Sequence, residues 1–136
     1  MTETKTLPLF DAFRTDPRKV AEGVWIEHPD TKDRFLVRRR WCPEHCRAYL
    51  QAQQDYEREH GKDSGSTPDA QSRIDAVAMA TGVILGWELP RNPGLAYDPA
   101  SMAAALNDPQ LADLRMWITV HTELRGNFRP DAALGN

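Results

Sequence analysis

The sequence has no apolar stretch long enough to cross a membrane and only two cysteines among its 136 residues. The longest apolar stretch, from Ala76 to Trp87, is interrupted by Thr81, Gly82 and Gly86, whereas a membrane-spanning helix needs about 20 predominantly apolar residues. The first residues, MTETKTLPLF, have neither a basic start nor a long apolar segment, so we expect no secretory signal. Without export, the two cysteines are expected to stay reduced.

The chain also lacks an excess of charge and the short motifs of common enzymes. Its 17 basic and 20 acidic residues give a formal net charge of −3, which argues against a dedicated nucleic-acid-binding protein. The motifs GxSxG, HExxH, GxGxxG and the P-loop do not occur. The four serines, at positions 64, 66, 72 and 101, fall in linker or helix-start segments. We therefore expect a non-enzymatic protein.

The residues that are present predict an α+β fold, mainly α-helical, in which an N-terminal β-hairpin packs on about four helices. Two β-prone segments, 23–27 and 34–39, flank a turn-forming Pro-Asp cluster. Proline and capping signals predict the helices. These run from Pro43 to His60, from Pro68 with helical spacing through Leu85, from Pro99 to Leu106, and from about Pro109 to Arg125.

We expect residues 1–136 to form a single domain, with flexible ends at 1–6 and 131–136 and an internal loop at 61–67. Three sets of apolar residues are assigned to its interior. In the helix from Pro43 the predicted buried stripe is Cys46, Tyr49, Leu50, Gln53 and Tyr56. Phe10 and Phe13 are expected to dock on the core, and Phe128 to lie against the body of the protein.

The sharpest candidate for a metal site is the group Cys42, His45 and Cys46, with His28 as a further donor across the hairpin. Structural zinc sites need four such ligands, and no second cysteine pair follows. On a helix, His45 would point about 100° away from Cys46. We therefore predict no metal or cofactor, and interpret Cys46 as a small buried hydrophobic residue and Cys42 as a helix boundary.

A basic run, Arg38 to Arg40 followed by Trp41, has the residue types of a nucleic-acid contact. Nearby acidic residues dilute its charge, so we interpret it as a solvated strand edge that discourages aggregation. Glu88 is flanked by apolar sequence and is interpreted as a structural acid that bonds backbone or arginine.

The order of three segments resembles a known family. They are Glu22-Gly23-Val24-Trp25-Ile26 leading to Arg34-Phe35-Leu36-Val37, the helix entry from Pro43 to Leu50, and Val83-Ile84-Leu85-Gly86-Trp87-Glu88. The likeness continues at Tyr97-Asp98-Pro99, Leu106-Asn107-Asp108-Pro109 and Asn127-Phe128-Arg129. Together they resemble the tail assembly chaperones, or pre-tape-measure proteins, of siphophages and prophages. One departure is Cys42, which stands where an asparagine is common before Pro43.

The resemblance implies a chaperone that binds the long helical tape measure protein, and also tail tube subunits, in the bacterial host cytoplasm, with no nucleic-acid or membrane partner. The matching residues resemble core and turn positions, so no contact residue carries over. Our candidates for partner contact are Trp87, Glu88, Trp117 and Phe128. Two alternatives stay open: a structural minor tail or head–tail joining protein of the virion, and a small zinc-binding nucleic-acid module.

Overall fold

The computed structural model describes residues 7–130, so the predicted flexible ends at 1–6 and 131–136 lie outside the described residues. The helices are α1 (Pro8–Phe13), α2 (Pro17–Glu22), α3 (Pro43–His60), α4 (Pro68–Gly82), α5 (Pro99–Leu106) and α6 (Ala112–Glu123). The strands are β1 (Val24–Glu27), β2 (Arg34–Val37) and β3 (Ile84–Glu88). Single 3₁₀ turns lie at Ser64–Ser66, Pro109–Leu111 and Arg125–Phe128. The predicted class, α+β and mainly helical, is confirmed.

The predicted hairpin is present, but it belongs to a three-stranded antiparallel sheet with the order β1-β2-β3. Helical spacing through Leu85 was therefore a wrong prediction, because α4 ends at Gly82 and the chain continues as β3. The free edge of β2 supplies hydrogen-bonding partners to this β-branched and aromatic segment, and such tertiary pairing overrides local pattern.

The core lies between the inner face of the sheet and the helices α4, α5 and α6. Its buried members are Ile26, Phe35, Val37, Ala76, Met79, Ala80, Val83, Ile84, Met102, Leu106, Ile118 and Phe128. Phe128 is completely buried, which confirms the prediction that the segment after the last helix folds back. None of the helices between residues 7 and 130 is both long enough and apolar enough to cross a membrane.

The buried face of α3 differs from the predicted stripe by about one residue. Cys46 is exposed and Leu50 is 56% exposed, whereas His45 and Ala52 are buried. Consecutive residues of a helix point about 100° apart, so the predicted stripe faces away from the core at these positions. His45 can occupy a core position although it is polar, because a hydrogen-bonding partner faces it there.

The N-terminal segment also differs from its prediction. Phe10 and Phe13 do not dock on the core; Phe13 is 62% exposed, with the guanidinium of Arg125 over its ring at 4.7 Å. The first helix ends at Phe13. Asp16 and Pro17 then begin α2, because the Asp16 carboxylate accepts from the backbone N–H of Arg18. This second short helix was not predicted.

Close contact between α3 and α4 depends on Gly82. A Cβ at this position would lie 2.7 Å from the Cβ of Ala48 and 2.9 Å from the carbonyl oxygen of Glu44. Only a residue without a side chain fits, so the glycine lets the two helices approach each other at the end of α4.

Candidate functional site

A cluster of charged side chains lies at the junction of α3, α4 and α6. The Nη2 of Arg40 is 2.8 Å from Oδ2 of Asp75, and Nη2 of Arg115 is 3.6 Å from the same oxygen. The Nε of Arg40 also lies 3.1 Å from Oε1 of Glu123. The Arg40 side chain is only 12% exposed. Because Arg40 lies in the connection between β2 and α3, its ion pairs join this connection to α4 and α6.

The ring of His45 completes this cluster from α3. The backbone N–H of Trp41 donates to Nδ1 of His45 at 2.8 Å, so the ring proton sits on Nε2. That nitrogen faces Oδ1 of Asp75 at 3.3 Å. Both ring nitrogens are thus engaged within the protein. This role of His45 was not predicted; the available signal was the position of Asp75 inside the apolar run of α4.

Burial favours the neutral form of Asp75, but the surrounding donors outweigh it. Desolvation acts to raise its pKa, while hydrogen bonds from His45 and Arg40 and the charge of Arg40 act against it. The net result is a pKa of Asp75 below its ordinary value. Asp75 is therefore an ionised anchor for two arginines.

The three residues considered for zinc are not arranged as a metal site. His45 is bound as described, Cys46 is exposed, and Cys42 is buried at the start of α3, which corrects the prediction that Cys46 is buried. Burial, with the negative charge of Glu44, raises the pKa of the Cys42 thiol, which disfavours the thiolate that binds metal. Between residues 7 and 130, no group of three or more His, Cys, Asp or Glu side chains is placed to hold a metal ion.

The basic run is structural, and its prediction as a solvated edge was wrong. Arg38 donates through Nε to the carbonyl of Ala21 at 2.7 Å. The guanidinium of Arg39 lies 5.9 Å from the ring centre of Phe128. With Arg40 in the buried cluster, all three arginines contact other parts of the protein.

Two of the four candidates for partner contact, Phe128 and Glu88, contact other parts of the protein. Phe128 is completely buried and offers no surface to a partner. Glu88 pairs with Arg34, with 2.7 Å between its Oε2 and the arginine Nη1, as interpreted from the sequence.

The two candidate tryptophans are partly buried. Trp117 lies between the rings of His28 and His121, at centroid distances of 5.1 and 4.8 Å. Trp87 donates through Nε1 to the carbonyl of Leu95 at 2.9 Å and packs edge-on against Tyr97. A cleft of about 480 Å³ beside Trp87 and Glu88 is walled by the loop that follows β3.

A different surface, which we call the helix groove, lies over α4 between α3 and α5. It has a volume of about 330 Å³. Its apolar part is formed by Ala52, Ile74, Val77, Ala103 and Ala104. Its polar rim is formed by Asp55, Tyr56, Glu59, His60, Arg73 and Asn107. No groove residue was predicted as a binding residue, because the groove exists only once three helices are brought together.

The three helices keep their order through contacts at both ends of α5. The hydroxyl of Tyr97, before α5, donates to the carbonyl of Ala80 at 2.5 Å. Near the end of α5, Arg115 donates to the carbonyls of Leu106 and Ser72. The helix α5 therefore runs antiparallel to α4. Val77 of α4, 43% exposed, lines the groove.

Comparison with protein-family models, curated proteins and solved structures gives no match to this chain.

Proposed function

We propose that this protein is a tail assembly chaperone of a long-tailed phage or prophage, and that it binds the tape measure protein while the tail is assembled. The observation that carries the proposal is the helix groove: an open surface formed by three helices, with an apolar part that includes the 43% exposed Val77. An amphipathic helix is recognised by burial of its apolar face in such a groove, and a tape measure protein is a long succession of helices.

The side chains of the groove suit a client without a fixed sequence. Ala52, Ala103 and Ala104 are small, so a docked helix can approach to about the 8–10 Å between axes seen in packed helices. Val77 offers apolar area without directional hydrogen bonds, whereas Ile74 is buried. Contact of this kind selects a pattern of apolar residues and tolerates many sequences that share the pattern. A chaperone for a long, repetitive client needs that tolerance.

The placement of the segments that resemble the family also supports the proposal. The helix entry from Pro43 to Leu50 starts α3, and the segment from Val83 to Glu88 forms β3 directly after α4. Both segments therefore adjoin helices that wall the groove, and a shared pattern there would preserve the groove's framework while its lining varies.

The test is co-expression of the tagged chain with a tape measure protein from the same phage or prophage. We expect the two to co-purify and the soluble fraction of the tape measure protein to rise. Val77→Glu places a charge on the groove floor and is expected to abolish both effects. The matched control is Val120→Glu on α6, since Val120 is 44% exposed against 43% for Val77 and lies outside the groove.

Three results would count against the proposal. Absence of any complex with tape measure or tail tube protein rejects the chaperone function. Equal loss of binding in both valine variants would mean that the groove is not the contact surface. A fixed stoichiometry of this protein in purified virions, measured by mass spectrometry, would instead support a structural tail or head–tail joining component.

A further inference from the structure

Resting on the proposed function, we infer that the helix groove selects helices that carry two basic residues, four positions apart, beside their apolar stripe. These residues face the α3 wall of the groove. The partner class is thus narrower than any amphipathic helix, and the α3 wall sets the charge that the partner must carry.

The α3 wall carries two carboxylates one helical turn apart, Asp55 and Glu59. Four residues of an α-helix span about 6 Å along its axis, so a docked helix with Lys or Arg at positions i and i+4 matches both. Asp55 already accepts through Oδ1 from Nε2 of Gln51 at 3.0 Å and lies 3.1 Å from Nη1 of Arg58. Neither of these partners lines the groove, and the Asp55 side chain stays 54% exposed. The carboxylates therefore remain available to a basic partner.

The part of the rim outside α3 has a different character. It is formed by Arg73 of α4 and by Asn107 after α5. Arg73 is paired with Asp69 at 3.1 Å on the solvent side. The basic side of a bound helix is attracted by the two carboxylates of the α3 wall and is repelled by Arg73. The two sides of a bound helix are therefore not equivalent. Charge complementarity with the α3 wall and apolar contact with the floor together specify the occupant, which is an amphipathic helix with two basic residues on one side of its apolar stripe.

The test uses two synthetic stapled helical peptides with the same leucine and alanine stripe. One carries lysines at i and i+4 beside the stripe, and the other carries glutamates at the same positions. We expect the lysine peptide to bind the wild-type chain about tenfold more tightly in low salt, in line with two exposed ion pairs exchanged for two repulsions. About 0.5 M salt should remove most of that difference, because exposed charges are then screened.

Two charge-reversed proteins locate the effect. In Asp55→Lys/Glu59→Lys the preference should reverse. The fold should persist, since both side chains are exposed and Glu59 lies in the last turn of α3, where a lysine is favourable. The control Glu22→Lys/Glu27→Lys changes net charge by the same amount outside the groove and should keep the wild-type preference. Thermal unfolding of each variant by circular dichroism verifies folding.

The outcomes separate this inference from the proposed function. Equal binding of the two peptides, or a preference unchanged in Asp55→Lys/Glu59→Lys, overturns the inference and leaves a chaperone without charge selection. Co-purification with the tape measure protein but no binding of either peptide also overturns it, because the contact then lies elsewhere. Selective binding of the lysine peptide with no tape measure complex supports the inference and rejects the proposed client.

Discussion

Arg40 and Asp75 form an ion pair at 2.8 Å in which both side chains are nearly buried, 12% and 13% exposed. The pair joins the end of the sheet to the middle of α4, 35 residues away in sequence. His45 and Arg115 contact the same carboxylate. Asp75 therefore holds three segments in place: the connection between β2 and α3, the start of α3, and α6. The helix groove lies over α4 between α3 and α5, so this cluster also sets the spacing of α3 and α4 in the groove.

Removal of Asp75 should be far more costly than removal of an exposed aspartate of the same helix. Asp75→Ala removes the counter-charge of Arg115 and leaves Arg40 with only the half-exposed Glu123, and should lower the free energy of unfolding by about 3–5 kcal/mol. Asp69→Ala breaks the exposed pair with Arg73 and should cost about 1 kcal/mol or less. Urea unfolding followed by circular dichroism measures both. Similar losses in the two variants would contradict the assigned role of the buried pair.

The lowered pKa of Asp75 makes the cluster sensitive to acid. An unfolded aspartate titrates near pH 3.9, and the folded pKa of Asp75 lies below the ordinary value. Its contribution is therefore complete above the unfolded pKa and is lost as the pH falls through the folded pKa. Asp75→Asn should flatten the dependence of unfolding free energy on pH below about 4. A slope identical to wild type would show that other carboxylates account for acid unfolding.

Gly82 offers a test of the contact between α3 and α4. Gly82→Ala places a Cβ 2.7 Å from the Cβ of Ala48 and 2.9 Å from a backbone oxygen, so the helices must move apart, at a cost of about 1–3 kcal/mol. The control is Gly86→Ala, where a Cβ meets nothing within 4 Å, and its stability should change little. The experiment compares chemical unfolding midpoints, and an equal effect at the two positions would refute the close approach.

Local signals in the sequence predicted much of this fold. Thr67 and Asp98 each stand before a proline, and each side chain accepts the backbone N–H that a helix start leaves free. Such caps depend only on neighbouring residues, so α4 and α5 were predicted to begin where they do. The hairpin was predicted for the same reason, from two β-prone segments and a turn.

The errors occurred where distant segments decide the outcome. His45 lies in the core, where Asp75 of α4 provides its partner, whereas Leu50 of the same helix is 56% exposed. Likewise β3 forms because β2 has a free edge. The helix groove needs three helices at once, and no local pattern in any one of them marks it, so its residues were absent from the sequence-based candidates.

Tyr97 predicts a loss of stability in alkali. Burial, with the negative charge of Asp98, raises its pKa well above the ordinary value, and its hydroxyl donates to the carbonyl of Ala80. An unfolded tyrosine ionises near pH 10, so the contribution is complete below about pH 10 and is lost as the pH rises from there towards the folded pKa. Tyr97→Phe should remove this loss, at a cost of about 1 kcal/mol at neutral pH for the missing hydrogen bond. Tyr49→Phe, on α3, is the control and should lose stability in alkali as wild type does. Unfolding free energies measured between about pH 8 and 11 decide the matter, and a wild-type slope in Tyr97→Phe would contradict the assignment.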